Sequence, residues 1–353
     1  MAKLLGNPKM LIAAIALGIL FVVGLFGGAL GDQFGGGFIG SPLAHIQLAA
    51  EPVSASPIFG DFDITNTMVA TWIAIVLLGL ASWRVSRRVD QVPGRLQNIV
   101  EVIFEFFLNV AESVAGREKA RRFFPLVMTI FLFIVTSNWL GVLPGFGTIG
   151  RFEPAEEVIH HLEVAALEDG RELDLDGVTL SIFEGDGAIA LLPFGSVGNV
   201  TTAADMAADV GDGERAGLLV PFLRSANTTL NTTLAIAIVA MVSVHWWGLR
   251  TLGVFGHLGK YINFREGPIG VFVGLLEGIS EIARVISFTF RLFGNIFAGE
   301  VLLIAMAFLV PLVGLIPFLG LELFVGLIQA FIFAMLILVF AATATIRHGP
   351  SEH

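Results

Sequence analysis

Apolar residues fall in long runs along this chain, and charged residues gather between the runs. A helix needs roughly 20 mostly apolar residues to cross a bilayer. Asn66–Trp83, Phe123–Leu143 and Thr228–Gly248 each satisfy that length. Two later runs, Val271–Val313 and Ile316–Ile346, are far longer. At about 1.5 Å per residue, a 40-residue helix is twice as long as a ~30 Å hydrocarbon core is thick. Each must therefore tilt steeply or break, with Pro311 and Pro317 as candidate break points. Met10–Leu30 is apolar behind Lys3 and Lys9, and it reads either as a retained first helix or as a signal peptide. Leu96–Ala115 differs, because it mixes apolar positions at helical spacing with Glu101, Glu105 and Glu112. That pattern predicts an amphipathic helix lying on the membrane surface. The predicted fold is an all-α polytopic membrane protein. It has five core membrane helices, an amphipathic surface helix and an optional N-terminal hydrophobic helix.

Composition agrees: 55% of the residues are hydrophobic and only 14% are charged, against about 25% charged in a soluble domain. The net charge of −10 is local, since residues 151–220 hold fifteen acids against three arginines. It gives no sign of a nucleic-acid partner. Cysteine is absent, which excludes disulfides and thiolate metal sites. The basic clusters flank the spans, and loops rich in Lys and Arg stay on the cytoplasmic side. This places 84–122, 249–267 and the carboxyl end at Arg347 inside, and the acidic 144–222 stretch outside. Four segments follow. Residues 1–60 form a hydrophobic segment and outer linker, and 61–149 the first core spans with the surface helix. Residues 150–220 form an acidic extracytoplasmic insert, and 221–353 the last spans. For the insert a small outer domain, a partner site and a solvated acidic loop are open, and the composition favours the loop.

Weak motifs fall away on context. "GFGTIG" at Gly145–Gly150 matches a dinucleotide fingerprint, but it leaves a span instead of joining a strand to a helix. "EEVIHHLE" sets Glu156 and Glu157 beside His160 and His161, a pattern expected of an exposed acidic helix before a metal site. The two sequons at Asn227 and Asn231 fall at a span. No cofactor, metal or catalytic set is implied.

The strongest chemistry lies inside the penultimate run. Projected at 100° per residue, Glu277, Glu281, Arg284, Arg291 and Asn295 share one stripe about 80° wide. Glu300 falls nearly opposite Arg291, about 13 Å further along the axis. In the last run Glu322, Gln329, Thr343 and Arg347 lie within about 60° of one another. In Thr228–Gly248, Asn231 and His245 are about 40° apart. Glu281 and Arg284, at i and i+3, can form an ordinary pair. Arg291 cannot be explained that way, because positions three and four away are Phe288, Ser287, Gly294 and Asn295. A guanidinium does not discharge by losing its proton, and leaving one at mid-helix costs roughly 2.5–3.5 kcal/mol. Arg291 should therefore face a cavity, or an anion from outside its own helix.

"RLFGNIFAGE" at Arg291–Glu300, "ANTTLNTTLAIAI", "LIQAFIFAML" and "ITNTMVATWI" together resemble subunit a of the rotary F-type ATP synthase. The likeness runs from about Asp61 to Arg347, interrupted by the insert. It implies a proton-channel stator of a bacterial-type plasma membrane. Such a stator stands against a ring of c subunits, each with one membrane carboxyl, and is joined by peripheral-stalk b subunits. It implies that the two overlong runs form a steeply tilted hairpin. It also implies that Arg291 is held against the ring, that Asn295 and Gln329 lie near it, and that Glu300 belongs to an outer aqueous inlet. Glu322 stands where many members carry a histidine, and Asn231 matches a polar position of the neighbouring span. Glu277, Glu281 and Arg284 are candidates for an inner path, with His245 a secondary candidate. A proton-coupled secondary transporter is the alternative, although such proteins are built from internal repeats and none is visible here.

Overall fold

A computed structural model describes residues 8–27, 50–54, 62–87, 94–143, 146–168, 170, 175, 178–184, 189–191, 200–259, 267–309 and 314–346. Most of the linker between Gly31 and Asp63 lies outside these residues, as do Pro311 and Arg347.

Nine α-helices and one sheet are formed by the described residues. In chain order they are α1 (Pro8–Gly27), α2 (Asn66–Ser86), α3 (Arg95–Ala115), α4 (Arg117–Gly141), β1 (Ile149–Pro154), α5 (Ala155–Glu168), β2 (Thr179–Glu184), β3 (Ile189–Leu191), β4 (Val200–Thr202), α6 (Met206–Asp209), β5 (Glu214–Pro221), α7 (Leu230–Leu258), α8 (Gly267–Leu309) and α9 (Leu315–Ala344). Helices α1, α2, α4, α7 and α9 are long and apolar enough to cross a membrane. The polytopic helical architecture is as predicted. Helix α4 starts at Arg117, ahead of the apolar run, so the basic residues occupy its first turns. Helix α9 begins close to Pro317, where proline's fixed φ is tolerated.

The chain divides into two compact units. One comprises Thr71–Trp139, Ala226–Ile296 and Val325–His353. Its core is a single apolar cluster drawn from α3, α4, α7, α8 and α9, including Phe107, Phe123, Ile134, Val244, Leu292, Phe333 and Ile337. Helix α3 contributes Phe107 and Ala111 to this core and leaves Glu101 and Glu105 exposed, which is the two-faced pattern its sequence carries. The rings of Phe288 and Phe333 lie 4.8 Å apart across α8 and α9. Outward positions are apolar too: Phe290, Ile286 and Val242 are exposed. Large apolar side chains turned outward mark a surface made for lipid or for another chain.

The other unit comprises Met1–Ala70, Leu140–Ser225 and Phe297–Phe324. Here the structure corrects the expected solvated loop. The acidic insert is a folded domain with a five-stranded antiparallel sheet in the order β3-β1-β5-β2-β4. Central β5 carries the near-continuous run Ala216, Leu218, Leu219 and Val220, all buried, because both its faces are covered. On one face Leu180, Ala216 and Leu218 pack with Ala155 and Val158 of α5. On the other, Phe152 packs with Leu219 and Phe183, and the Arg215 guanidinium stacks 4.2 Å over the Phe152 ring. The edge strands β3 and β4 have three residues each, which limits the open edge the sheet offers to other chains. Buried Asn66, at the start of α2, ties the sheet's end down by donating from Nδ2 to the Pro221 carbonyl (3.2 Å) and to Glu51 Oε2 (3.2 Å). Among the described acids, Glu156, Glu157, Glu163 and Glu168 lie on α5.

Candidate functional site

Helix α8 does not keep its five polar residues as one equivalent stripe. Arg291 and Asn295 are exposed, as are Ser287 and Ala298 on the same face. Phe288, Leu292 and Ile296 turn into the core. The 3.6-residue period therefore anchors one side of α8 and holds the guanidinium outward on the other. Arg291 Nη2 donates to Ser287 Oγ at 3.4 Å. Among the described residues no carboxylate lies within ion-pair distance of it. Asn295 Nδ2 donates to Gln329 Oε1 of α9 at 2.7 Å. The Gln329 side chain is buried, and its Nε2 has no hydrogen-bond partner among the described residues. A guanidinium and two amides thus follow one another, Arg291 and Asn295 exposed and Gln329 buried.

Nearer the start of α8 the polar residues do satisfy one another. Arg284 Nη1 donates to Glu281 Oε1 at 2.5 Å, and its Nη2 lies 3.9 Å from Glu277 Oε1. The same guanidinium sits 4.6 Å over the Phe340 ring. The predicted i, i+3 pair is therefore real, and Glu277 joins it from the exposed side. His245 of α7 lies with its Nε2 3.8 Å from Glu281 Oε2 and its Nδ1 3.3 Å from His257 Nε2. His257 was not legible as a site residue. It arrives there because Gly253 takes φ 73°, ψ 167° and kinks α7, a conformation open to glycine at little cost. The chain folds back, and the buried His257 ring packs on Gly248, where any Cβ would collide with it. A glycine within a helical pattern is the sequence signal for that kink, and Gly256 three residues on adds to it.

A third group of charges lies in the unit that holds the insert. Glu300, on the last part of α8, meets Arg224, which the sequence reading passed over. Arg224 Nε donates to Glu300 Oε1 (3.1 Å) and Oε2 (3.3 Å), and its Nη2 donates to Oε2 (3.0 Å). The Arg224 side chain is only 6% exposed. A signal did exist: Arg224 is the only Lys or Arg between 216 and 249, and it stands at the end of a span opposite the basic cluster. Glu322 of α9 is buried beside Glu300, with its carboxyl group filling the space where a side chain on Gly299 would go. Asn231 joins none of these groups, since its side chain is exposed on the first turn of α7. The buried amide nearby is Asn227, which donates from Nδ2 to Asn138 Oδ1 at 2.7 Å.

The sequence profile of the family described as ATP synthase A chain matches residues 68–342. The ATP synthase subunit a of Gloeobacter violaceus is 28% identical over 283 residues, covering 80% of this chain and 85% of its own. That of Helicobacter pylori (strain Shi470) is 28% identical over 277 residues, covering 78% and 87%. That of Desulforamulus reducens is 27% identical over 286 residues, covering 78% of each chain.

Proposed function

The chain belongs to the ATP synthase A chain family, and from that premise we propose that it is the stationary proton channel of a rotary ATP synthase. In this reading it stands in the plasma membrane of a bacterial-type cell with its carboxyl end in the cytoplasm. Peripheral-stalk b subunits hold it still while a ring of c subunits turns against it. Protons enter from the outer side past Glu300 and Glu322 and neutralise a ring carboxylate. A neutral carboxyl can then travel through lipid, where a charged one would cost several kcal/mol. Near the end of its circuit it meets an inner path at Glu277, Glu281 and Arg284, with His245 alongside. Arg291 draws the returning group into its anionic form and bars protons from passing directly between the two paths. Asn295 and Gln329 supply hydrogen bonds beside it. Each proton moving down 100 mV releases about 2.3 kcal/mol, which appears as torque.

The observation that carries this reading is the outward-facing Arg291, whose companion in its own unit is a hydroxyl. A cation so placed in a membrane calls for an anion from a neighbouring chain. The test uses the absence of native cysteine. In Ser287→Cys and Ala298→Cys, both on the face of Arg291, the new thiol should form a disulfide with a cysteine introduced beside the ring carboxyl. A cross-linked a–c product on a gel is the expected result; its absence from both positions counts against the reading.

The outer path has its own test. Gly299→Ala puts a methyl group where the Glu322 carboxyl lies. The side chain must then swing away, and proton-driven ATP synthesis should fall by roughly tenfold, a loss of about 1.4 kcal/mol. ATP hydrolysis by the detached catalytic head, measured in parallel, should not change.

A further inference from the structure

We infer that Arg224 is a positioning residue that holds Glu300 as a fixed anion, so that Glu322 is the carboxyl that relays protons on the outer path. This rests on the channel reading above and assigns the acid within it. Two N–H groups of one guanidinium, Nε shared between the two oxygens and Nη2 on Oε2, occupy both oxygens of Glu300. The guanidinium is almost fully buried and cannot give up its proton. A proton arriving on Glu300 would displace one of those donors and strand a buried cation, the costly way to break such a pair. Glu322 is placed differently. Its carboxyl group is also buried, yet among the described residues no cation lies within ion-pair distance and no donor bonds its oxygens.

Charge counting leads to the same assignment. The buried Arg224 guanidinium already faces one carboxylate, that of the partly exposed Glu300. A second carboxyl in the same place is the group that can gain and lose charge without breaking a pair. The close approach at Gly299 seats it there, on the residue next to Glu300.

The test is a double-mutant cycle on the assembled complex. It reads passive proton flux through membranes stripped of the catalytic head, and ATP synthesis driven by an imposed gradient. Arg224→Gln and Glu300→Gln, each alone, leave one buried charge unpaired and should lower flux about tenfold or more. The double variant R224Q/E300Q holds a neutral, hydrogen-bonded pair and should recover flux to within about threefold of the parent. Glu322→Gln should block flux whether or not the pair is present. A purely structural role for the pair predicts the same recovery but leaves Glu322→Gln conducting, so the Glu322 arm separates the two. The inference is overturned if the double variant conducts no better than Arg224→Gln, if it does not assemble, or if Glu322→Gln conducts normally. In each of those cases parental proton flux and the a–c cross-link would still stand, so the channel reading would fail only on separate evidence.

Discussion

Arg291→Ala should reduce proton-driven ATP synthesis by at least about a hundredfold while the complex assembles in normal amount. At ~4 Å and an effective dielectric of 20, a guanidinium attracts a carboxylate by about 4 kcal/mol, close to three powers of ten in an equilibrium constant. Losing that attraction leaves the ring carboxyl without the charge that draws off its proton. Assembly should survive, because Arg291 is exposed and its bond to Ser287 is a long one of 3.4 Å. Arg291→Lys should recover little, since an ammonium lacks the planar fork and its proton is removable. The same variant separates the competing functions. A secondary transporter would lose solute uptake, and a passive scaffold would lose assembly. Gradient-driven synthesis in reconstituted vesicles, normalised to the amount of assembled complex, is the measurement.

The second large effect concerns packing. Asn138→Leu should destabilise the subunit by about 2–5 kcal/mol, the combined scale of a lost buried hydrogen-bond partner and an overpacked contact. Asn138 is buried on α4, donates from Nδ2 to the Gly326 carbonyl of α9 (3.1 Å) and accepts from Asn227 at 2.7 Å. Leucine would leave the Asn227 donor without that acceptor. It would also press a branched side chain on Gly326, where a Cβ would already meet the Asn138 Cβ at 3.0 Å. Asn138→Ala removes only the first term and should cost about 1–3 kcal/mol. Thermal release of the subunit from the purified complex measures both. Complexes that remain intact should synthesise ATP at the parental rate, because Asn138 makes no bond to Arg291, Asn295 or Gln329.

What the sequence disclosed follows from the physics that leaves the clearest trace in it. Lipid demands long apolar helices, so the spans and the surface helix were legible, although α4 starts six residues ahead of its apolar run and α7 continues ten residues past Gly248. Arg291 was legible because no acid stands at helical spacing from it. The insert was not. Its strands are three to eight residues long, and the sequence between them is rich in Gly and Asp. Its central strand pairs with β1 and β2, partners distant in sequence. The acidic composition of that stretch hid the buried run Ala216–Val220. Projection on an ideal helix grouped Arg291 with Glu277, Glu281 and Arg284. It could not distinguish a charge paired inward from one facing out, because that depends on which neighbouring helix carries His245 and Phe340. Arg224 was missed because its partner Glu300 lies 76 positions away. Only its place at the wrong end of a span, against the charge bias, pointed to it.

The central claim is that Arg291 answers to an acid on another subunit. A high-resolution map of the whole complex reads this directly, as the distance from the Arg291 guanidinium to the nearest carboxylate. The account predicts a ring carboxyl within about 4 Å of it, directly or through one water. A guanidinium locked against an acid of its own chain, with the ring turned elsewhere, would contradict it.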